Sequence, residues 1–335
     1  MDKITLQDHS YFTVEILKAL VQNRITTLIQ FIQEDAEKLS VLTKLNLPQI
    51  LEIRNDIFSK YSAPLISGST LFVRGFTCRK YIATGIESLD SILGGGISIG
   101  YISEIYGLAC CGKTQLCTQL AINSVKDFNN TVLYIDTKGD FSAVRVQKIL
   151  EGNGFSHKDM AAIMIKIKVI HIWSMEDLIK LLEGLKHFTL KTEKLSLIII
   201  DSLPSLMLQH FGDNNKLGLT YLNKVVNLSR FLSKELEIGF VCVNIQTRWI
   251  DSDVRDSDVE DQTTSVYDSG YIEKRNRGLG KYWHHIPAVL ILMEKNNYPV
   301  TDNNGCSIIN ITVSKQNIPY ISKSCQINVN VLGVS

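Results

Sequence analysis

No two cysteines in this 335-residue chain are spaced as C-x-x-C, and the seven present (Cys78, Cys110, Cys111, Cys117, Cys242, Cys306 and Cys325) are odd in number and scattered. That pattern argues against a zinc site built from cysteines alone and fits free thiols in a reducing compartment. An excess of charge is missing too: 35 Lys and Arg stand against 34 Asp and Glu, for a net charge of +1. Without a global field, any contact with nucleic acid has to come from a local patch. No apolar run reaches transmembrane length, and the N-terminal MDKITLQDHSYF holds no apolar signal core. The expectation is a soluble globular protein with no membrane partner, supported by 45% apolar and 21% charged residues. No internal repeat is evident.

What is present divides the chain in two. From Ser10 to Lys60 apolar residues recur at steps of three and four, a helical pattern. RITTLIQFI predicts one short helix and PQILEIRNDIFSKY another, with Pro48 at its start. SAPLISGSTLF then supplies Pro, Gly and Ser. The expected organisation is a small helical domain over 1–61, a linker over 62–83 and an α/β core over 84–335. In that core, apolar strands such as YISEIYG, VLYIDT, MIKIKVIHI, SLIIIDS, GFVCVNIQ and AVLILME alternate with amphipathic stretches such as MEDLIKLLEGLKHF. Strands of this kind, apolar throughout, imply a mostly parallel sheet covered on both faces. The last two strands, near Ser307–Ser314 and Gln326–Val331, lack a long helix between them and predict an antiparallel edge.

One motif carries chemistry. YISEIYGLACCGKTQLCTQLA places a strand, then G-x-x-x-x-G-K-T, then a helix. Gly107 and Gly112 let the backbone turn its N–H groups toward phosphate oxygens, and the helix beginning near Lys113 adds the positive end of its dipole. Lys113 would reach the β- and γ-phosphates and Thr114 would ligate Mg²⁺. Cys110 and Cys111 occupy the variable loop positions, either as small neutral filler or as thiols made reactive by the helix terminus. KLSLIIIDS supplies the second required part, Asp201 at a strand end, able to hold the Mg²⁺ shell.

Thr84–Ala121, TGIESLDSILGGGISIGYISEIYGLACCGKTQLCTQLA, resembles the start of the ATPase core of RecA-family recombinases. Thr84, Gly85, Leu89, Asp90, Leu93, Gly94, Gly95, Gly96, Gly100, Glu104 and Gly107 match that family's pattern in order. LYIDTKGDFSAVRV, LIIIDS and FVCVNIQT follow in the family's sequence. The resemblance implies that Gln246 senses the γ-phosphate, that Arg145 stacks on adenine, and that Gln115 belongs to the nucleotide site. The helical N-terminus fits the eukaryotic branch. GLGKYWHHIPAVLILME resembles the P-A-L-G-x-x-W…P signature of its paralogues, most of all the D-type. The fold implied is a RecA-like P-loop core, with ATP and Mg²⁺ as cofactors. The role implied is homologous recombination and double-strand break repair, in the nucleus. The partners implied are other recombinase paralogues, the C-type and the small cross-complementing type.

Two departures matter. Two residues after Asp136, where catalytic recombinases carry a water-activating glutamate, stands Lys138. A lysine ammonium is protonated at neutral pH and cannot accept a proton. Loss of a general base costs on the order of 10²–10⁴ in rate. Lys138 is then either an exposed turn residue or a second cation near the γ-phosphate; Asp140, two residues further on, could stand in only by reaching back. The second DNA loop is acidic: Asp251–Gly270 reads DSDVRDSDVEDQTTSVYDSG, a stretch expected to be a mobile loop that repels phosphate. Cations gather after it, at Lys274, Arg275, Arg277 and Lys281, near Tyr271, Tyr282 and Trp283. They form either a solvated basic turn or a weak single-stranded DNA site that works by charge and stacking. GFTCRKY resembles the F-x-x-A hook by which family members join a neighbour, with Phe76 in place but Arg79 where a small residue belongs; a core-packing phenylalanine is the other reading.

These features point to an ATP-binding assembly or mediator subunit with weak or absent hydrolysis. The alternative is a DNA-dependent ATPase with strand-exchange activity of its own. A small-molecule P-loop kinase would need an arginine-rich lid and fits less well.

Overall fold

Two units divide the chain, Met1–Cys78 and Arg79–Ser335. The computed structural model describes residues 3–6, 8–62, 65–77, 81–126, 130–187, 194–210, 216–251, 264–266, 272–295, 306–315 and 318–335. In the first unit, helices α1 (Val14–Gln22), α2 (Leu28–Gln33), α3 (Ala36–Thr43) and α4 (Leu47–Tyr61) each follow a side chain that caps the free N–H groups of the first turn: Thr13, Thr27, Asp35 and Asn46. Gln30 and Gln49 return the bond, closing capping boxes on α2 and α4. The apolar stripes meet in a core that includes Phe12, Leu20, Phe31, Leu39, Ile50 and Ile53. The expected helices over RITTLIQFI and PQILEIRNDIFSKY correspond to α2 and α4. A further helix, α5 (Gly68–Thr77), lies within the stretch that its composition marks as linker. Ser67 explains it: its hydroxyl accepts from the Thr70 amide at 3.2 Å, and starts a helix where Pro, Gly and Ser suggest none.

The second unit opens with a two-stranded ribbon, β1 (Tyr81–Ile82) against β2 (Ile97–Ser98), with α6 (Glu87–Leu93) between them. Then come β3 (Ile102–Tyr106), α7 (Lys113–Val125), β4 (Thr131–Asp136), α8 (Ala143–Gly152), α9 (His157–Lys166) and β5 (Ile167–His171). These are followed by α10 (Met175–Lys186), β6 (Leu195–Asp201), α11 (Leu203–Met207), α12 (Lys216–Glu235) and β7 (Gly239–Val243). The chain next leaves the main sheet to build a small antiparallel one from β8 (Gln246–Asp251), β9 (Thr264–Val266) and β10 (Ile272–Arg277). After α13 (Gly280–His284) it returns with β11 (Val289–Lys295), β12 (Ser307–Lys315), β13 (Ile318–Asn330) and β14 (Gly333–Val334).

The main sheet runs β14-β13-β12-β11-β3-β7-β6-β4-β5. It is parallel from β11 to β5 and antiparallel from β11 through β14. The expected RecA-like α/β core and its antiparallel edge are both present. Every residue of β4 is buried, because successive side chains enter opposite cores. Val132 and Tyr134 join the cluster holding Leu116 and Ile149, while Leu133 and Ile135 join the one holding Leu178 and Leu222. Two boundaries differ from the periodicity. Met164–Lys166 belong to α9, which Ser156 caps, so β5 is shorter than MIKIKVIHI suggests. GFVCVNIQ is broken: β7 stops at Val243 and Gln246 starts a strand of the other sheet. The T-G…D pattern gains a structural reason, since the two Asp90 carboxylate oxygens accept from the Thr84 and Gly85 amides at 2.8 and 3.1 Å.

Candidate functional site

In an open parallel sheet, ligands bind beyond the carboxyl ends of the strands, and there β3, β4, β6 and β7 deliver the predicted site residues. β3 passes directly into the phosphate loop. A Cβ on Gly107 would lie 2.2 Å from the Met293 carbonyl oxygen, so only glycine fits that approach. Gly112, at φ +85°, caps α7 in the left-handed region. The Lys113 ammonium donates to the carbonyls of Gly107 (2.9 Å) and Leu108 (2.6 Å) and lies 3.5 Å from the Cys111 sulfur. Cys111 is buried against the loop, whereas Cys110 is exposed.

The two residues expected to hold a metal, Thr114 and Asp201, are brought together. Thr114 Oγ1 donates to Asp201 Oδ2 at 2.7 Å, and the buried Tyr134 hydroxyl donates to the same oxygen at 2.9 Å. Asp201 Oδ1 is buried with no hydrogen-bond partner among the described residues. A hard cation ligated by oxygen fits that arrangement: one carboxylate oxygen is anchored by two hydroxyls and the other is left to accept. Burial pushes the nearby Cys117 thiol well above its ordinary value, so this cysteine is an inert packing residue. Tyr134 escapes the sequence reading because it sits inside an apolar strand; only its polar tip marks it.

The turn after β4 is organised by Asp136. Its Oδ1 accepts from the amides of Lys138 (3.0 Å), Gly139 (2.9 Å) and Asp140 (3.3 Å), and its Oδ2 from Phe141 (2.9 Å). Burial pushes the Asp136 carboxyl up, but the four amides outweigh it and hold it below the ordinary range. Thr137 fastens the turn to the end of β6. Its amide donates to Asp201 O at 3.0 Å, and its hydroxyl accepts from the Ser202 amide at 2.7 Å and donates to Ser202 O at 2.8 Å. The turn is therefore fixed to the end of β6 at Asp201, yet the side chains of Lys138 and Asp140 are exposed.

Arg145, on α8, uses its whole edge. Nε donates to Gln115 Oε1 at 2.9 Å, Nη1 to Val331 O at 2.6 Å and Nη2 to Asn330 O at 2.5 Å. Gln115 and Arg145, far apart in sequence, thus meet beside the turn between β13 and β14. Gln246 stands at the start of β8, its amide bonded to Gly107 O at 3.1 Å and its Oε1 buried without a partner among the described residues. The orphaned Asp201 Oδ1, together with a loop that only glycine can form, fits a metal held by oxygen ligands beside a nucleotide.

The Rad51 family profile matches residues 79–262. The chain belongs to the Rad51 family. It is 22% identical to DNA repair protein RAD51 homolog 4 of Bos taurus over 84% of this chain and 82% of that protein. Against the Mus musculus counterpart it is 24% identical over 84% of this chain and 81% of the other. It is 28% identical to the DNA repair and recombination protein RadB of Thermococcus sibiricus over 49% of this chain and 67% of that one. The resemblance to the D-type paralogue is thus shown, since RAD51 homolog 4 is that paralogue. The Rad51 family is an ATP-binding, RecA-like family.

The DNA-facing residues expected in this Rad51-family chain are not all alike. Of Asp251–Gly270, the structure describes the backbone of Asp251 and of Thr264–Val266, all in strands; the remainder, and with it the expected mobile loop, lies outside the described residues. Lys274 lies on β10, with its side chain outside the described set. Arg275 pairs with Glu294 at 2.6 Å. Arg277 lies 3.6 Å from the buried Glu104, donates to His284 O at 2.9 Å and covers the Tyr106 ring. Lys281 is exposed on α13. Trp283 is 1% exposed and packs in the core, so it has no face to offer a base. Tyr282 packs partly against the same core, and Tyr271 is outside the described residues. Phe76 falls on α5, its side chain also outside the described set, as is Arg79. Among the described residues no cluster of three His, Cys, Asp or Glu could hold another metal, and no helix is long and apolar enough to cross a membrane.

Proposed function

We propose that this chain binds ATP with Mg²⁺ as a structural ligand and acts in homologous recombination and DNA repair as an assembly or mediator subunit. One observation carries the reading. The turn where a general base belongs is fixed beside Thr114 and Asp201, and it presents Lys138 to solvent. Lys113, Thr114, Gln115 and the backbone from Gly107 through Gly112 would hold the phosphates. Thr114 and Asp201 would hold Mg²⁺, Gln246 would sense the γ-phosphate and a face of Arg145 would meet adenine. Mg²⁺ would neutralise phosphate charge and template the bound nucleotide. The names of the relatives support a place in DNA repair and recombination, and with it the nucleus, other recombinase paralogues (C-type and small cross-complementing type) and weak single-stranded DNA as the setting and partners.

The test is an ATPase assay with and without single-stranded DNA, on wild type and Lys138→Glu, together with co-purification of paralogues. Wild type should retain ATP and turn over little with or without DNA. Glutamate at position 138 should raise the rate by on the order of 10²-fold, the low end of what a general base supplies. Robust DNA-stimulated turnover by wild type would instead establish a catalytic recombinase and retire the structural-ligand reading.

A further inference from the structure

The residues around Gln246 form a polar knot that the phosphate loop does not require. Glu104, fully buried on β3, accepts from Asn244 Nδ2 at 2.7 Å and faces the Arg277 guanidinium at 3.6 Å. Burial pushes its carboxyl up, with Arg277 first and Asn244 next among the groups opposing the rise. Asn244 also donates to Gly278 O at 3.1 Å, while the Gly278 amide donates to Ile245 O at 2.8 Å. Arg277 is the register partner of Gln246 across β8 and β10. Its guanidinium lies 5.6 Å over the ring of Tyr106, the residue before Gly107, and its side chain is only 12% exposed. The base of the small sheet is therefore tied, at Gln246 and Arg277 together, to the strand that feeds the phosphate loop. Removing one partner of a buried ion pair leaves an uncompensated charge, so Glu104 keeps Arg277 turned inward.

We infer that Arg277 and Glu104 are positioning residues for Gln246: they set where its amide side chain stands relative to the phosphate loop, and so set the preference for a nucleoside triphosphate over a diphosphate. The inference rests on Gln246 acting as the γ-phosphate sensor. It removes Arg277 from the DNA surface and gives it an effect on nucleotide choice that acts only through Gln246.

The experiment is a double-mutant cycle on the full chain, reading equilibrium affinity for a non-hydrolysable ATP analogue and for ADP. Arg277→Met should weaken the triphosphate analogue about tenfold, within the usual range of coupling between sites, and leave ADP binding unchanged. Gln246→Ala should do the same, and the double variant should lose nothing further. Glu104→Gln keeps the volume and the bond to Asn244. It should show a smaller loss of the same kind, and it replaces Arg277→Met in the cycle should that variant not fold. Additive losses, or equal weakening of both nucleotides, would overturn the inference while leaving the sensor in place. Wild type that binds both nucleotides equally would overturn the sensor reading itself, and this inference with it.

Discussion

The phosphate loop and the turn after β4 sit at the same edge of the sheet, and both are built with care for their backbones. They differ in where the side chains go. In the loop the functional heads converge: Lys113 is ringed by carbonyls, and Thr114 is bonded to Asp201. In the turn the backbone is organised just as fully, by Asp136 and Thr137, but Lys138 and Asp140 face solvent. Under the proposed function the scaffold of the turn is kept without its base, so binding and hydrolysis would separate at the level of single side chains.

That contrast breaks most readily at the loop. Lys113→Ala removes a cation whose hydrogen bonds to charged groups are worth about 1.5–3 kcal/mol each, and each 1.4 kcal/mol is about tenfold in affinity. ATP affinity, read by equilibrium titration, should fall by on the order of 100-fold. Thermal stability without nucleotide should change little, since the ammonium of Lys113 is only part-buried. Retention of ATP at wild-type affinity would show that the loop is not the nucleotide site.

The turn should respond in stability and not in affinity. Asp136→Asn keeps the shape but leaves one oxygen to serve four amides, at a cost of about 1 kcal/mol for the part-buried donors left short of a partner. The sign of the pH dependence follows from the lowered carboxyl of Asp136. A depressed acid stabilises the fold above its unfolded value of about 3.9, and that stabilisation is lost as pH falls through the folded value. Denaturant titrations of the two proteins should therefore differ most near neutral pH, and the gap should start to close at about pH 4 and vanish only as pH falls through the lowered Asp136 value. A gap that persists in acid would mean that packing, rather than the ionised carboxylate, holds the turn.

Much of the phosphate side was legible in the sequence, because its chemistry is local. G-x-x-x-x-G-K-T fixes a loop, and an apolar run ending in Asp places Asp201. The turn was legible in part: Lys138 stands out by its spacing from Asp136, but the four amides that Asp136 gathers belong to three-dimensional geometry. What could not be read were side chains whose partners lie far along the chain. Tyr134 looks apolar until Asp201 is beside it. Arg145 and Gln115 meet only because α7 and α8 share a face of the sheet. The helix α5 was hidden by its own linker-like composition, and the break at Asn244 was hidden because one polar residue between Val243 and Ile245 reads as ordinary strand alternation.

Pairing with acidic side chains decides which cations are free to meet DNA, the smallest of the expected effects. Charge alone groups Lys274, Arg275, Arg277 and Lys281, but the structure pairs Arg275 with Glu294 and turns Arg277 inward onto Glu104. Lys281 stands exposed on α13. A phosphate contact releases a counterion, so losing one lowers the slope of log affinity against log salt by about one. Lys281→Ala should do this for single-stranded DNA of any sequence, whereas Arg277→Met should leave the slope unaltered. If Arg277→Met lowers the slope as Lys281→Ala does, its guanidinium reaches phosphate, and the acidic stretch that precedes it does not keep DNA from the base of the small sheet.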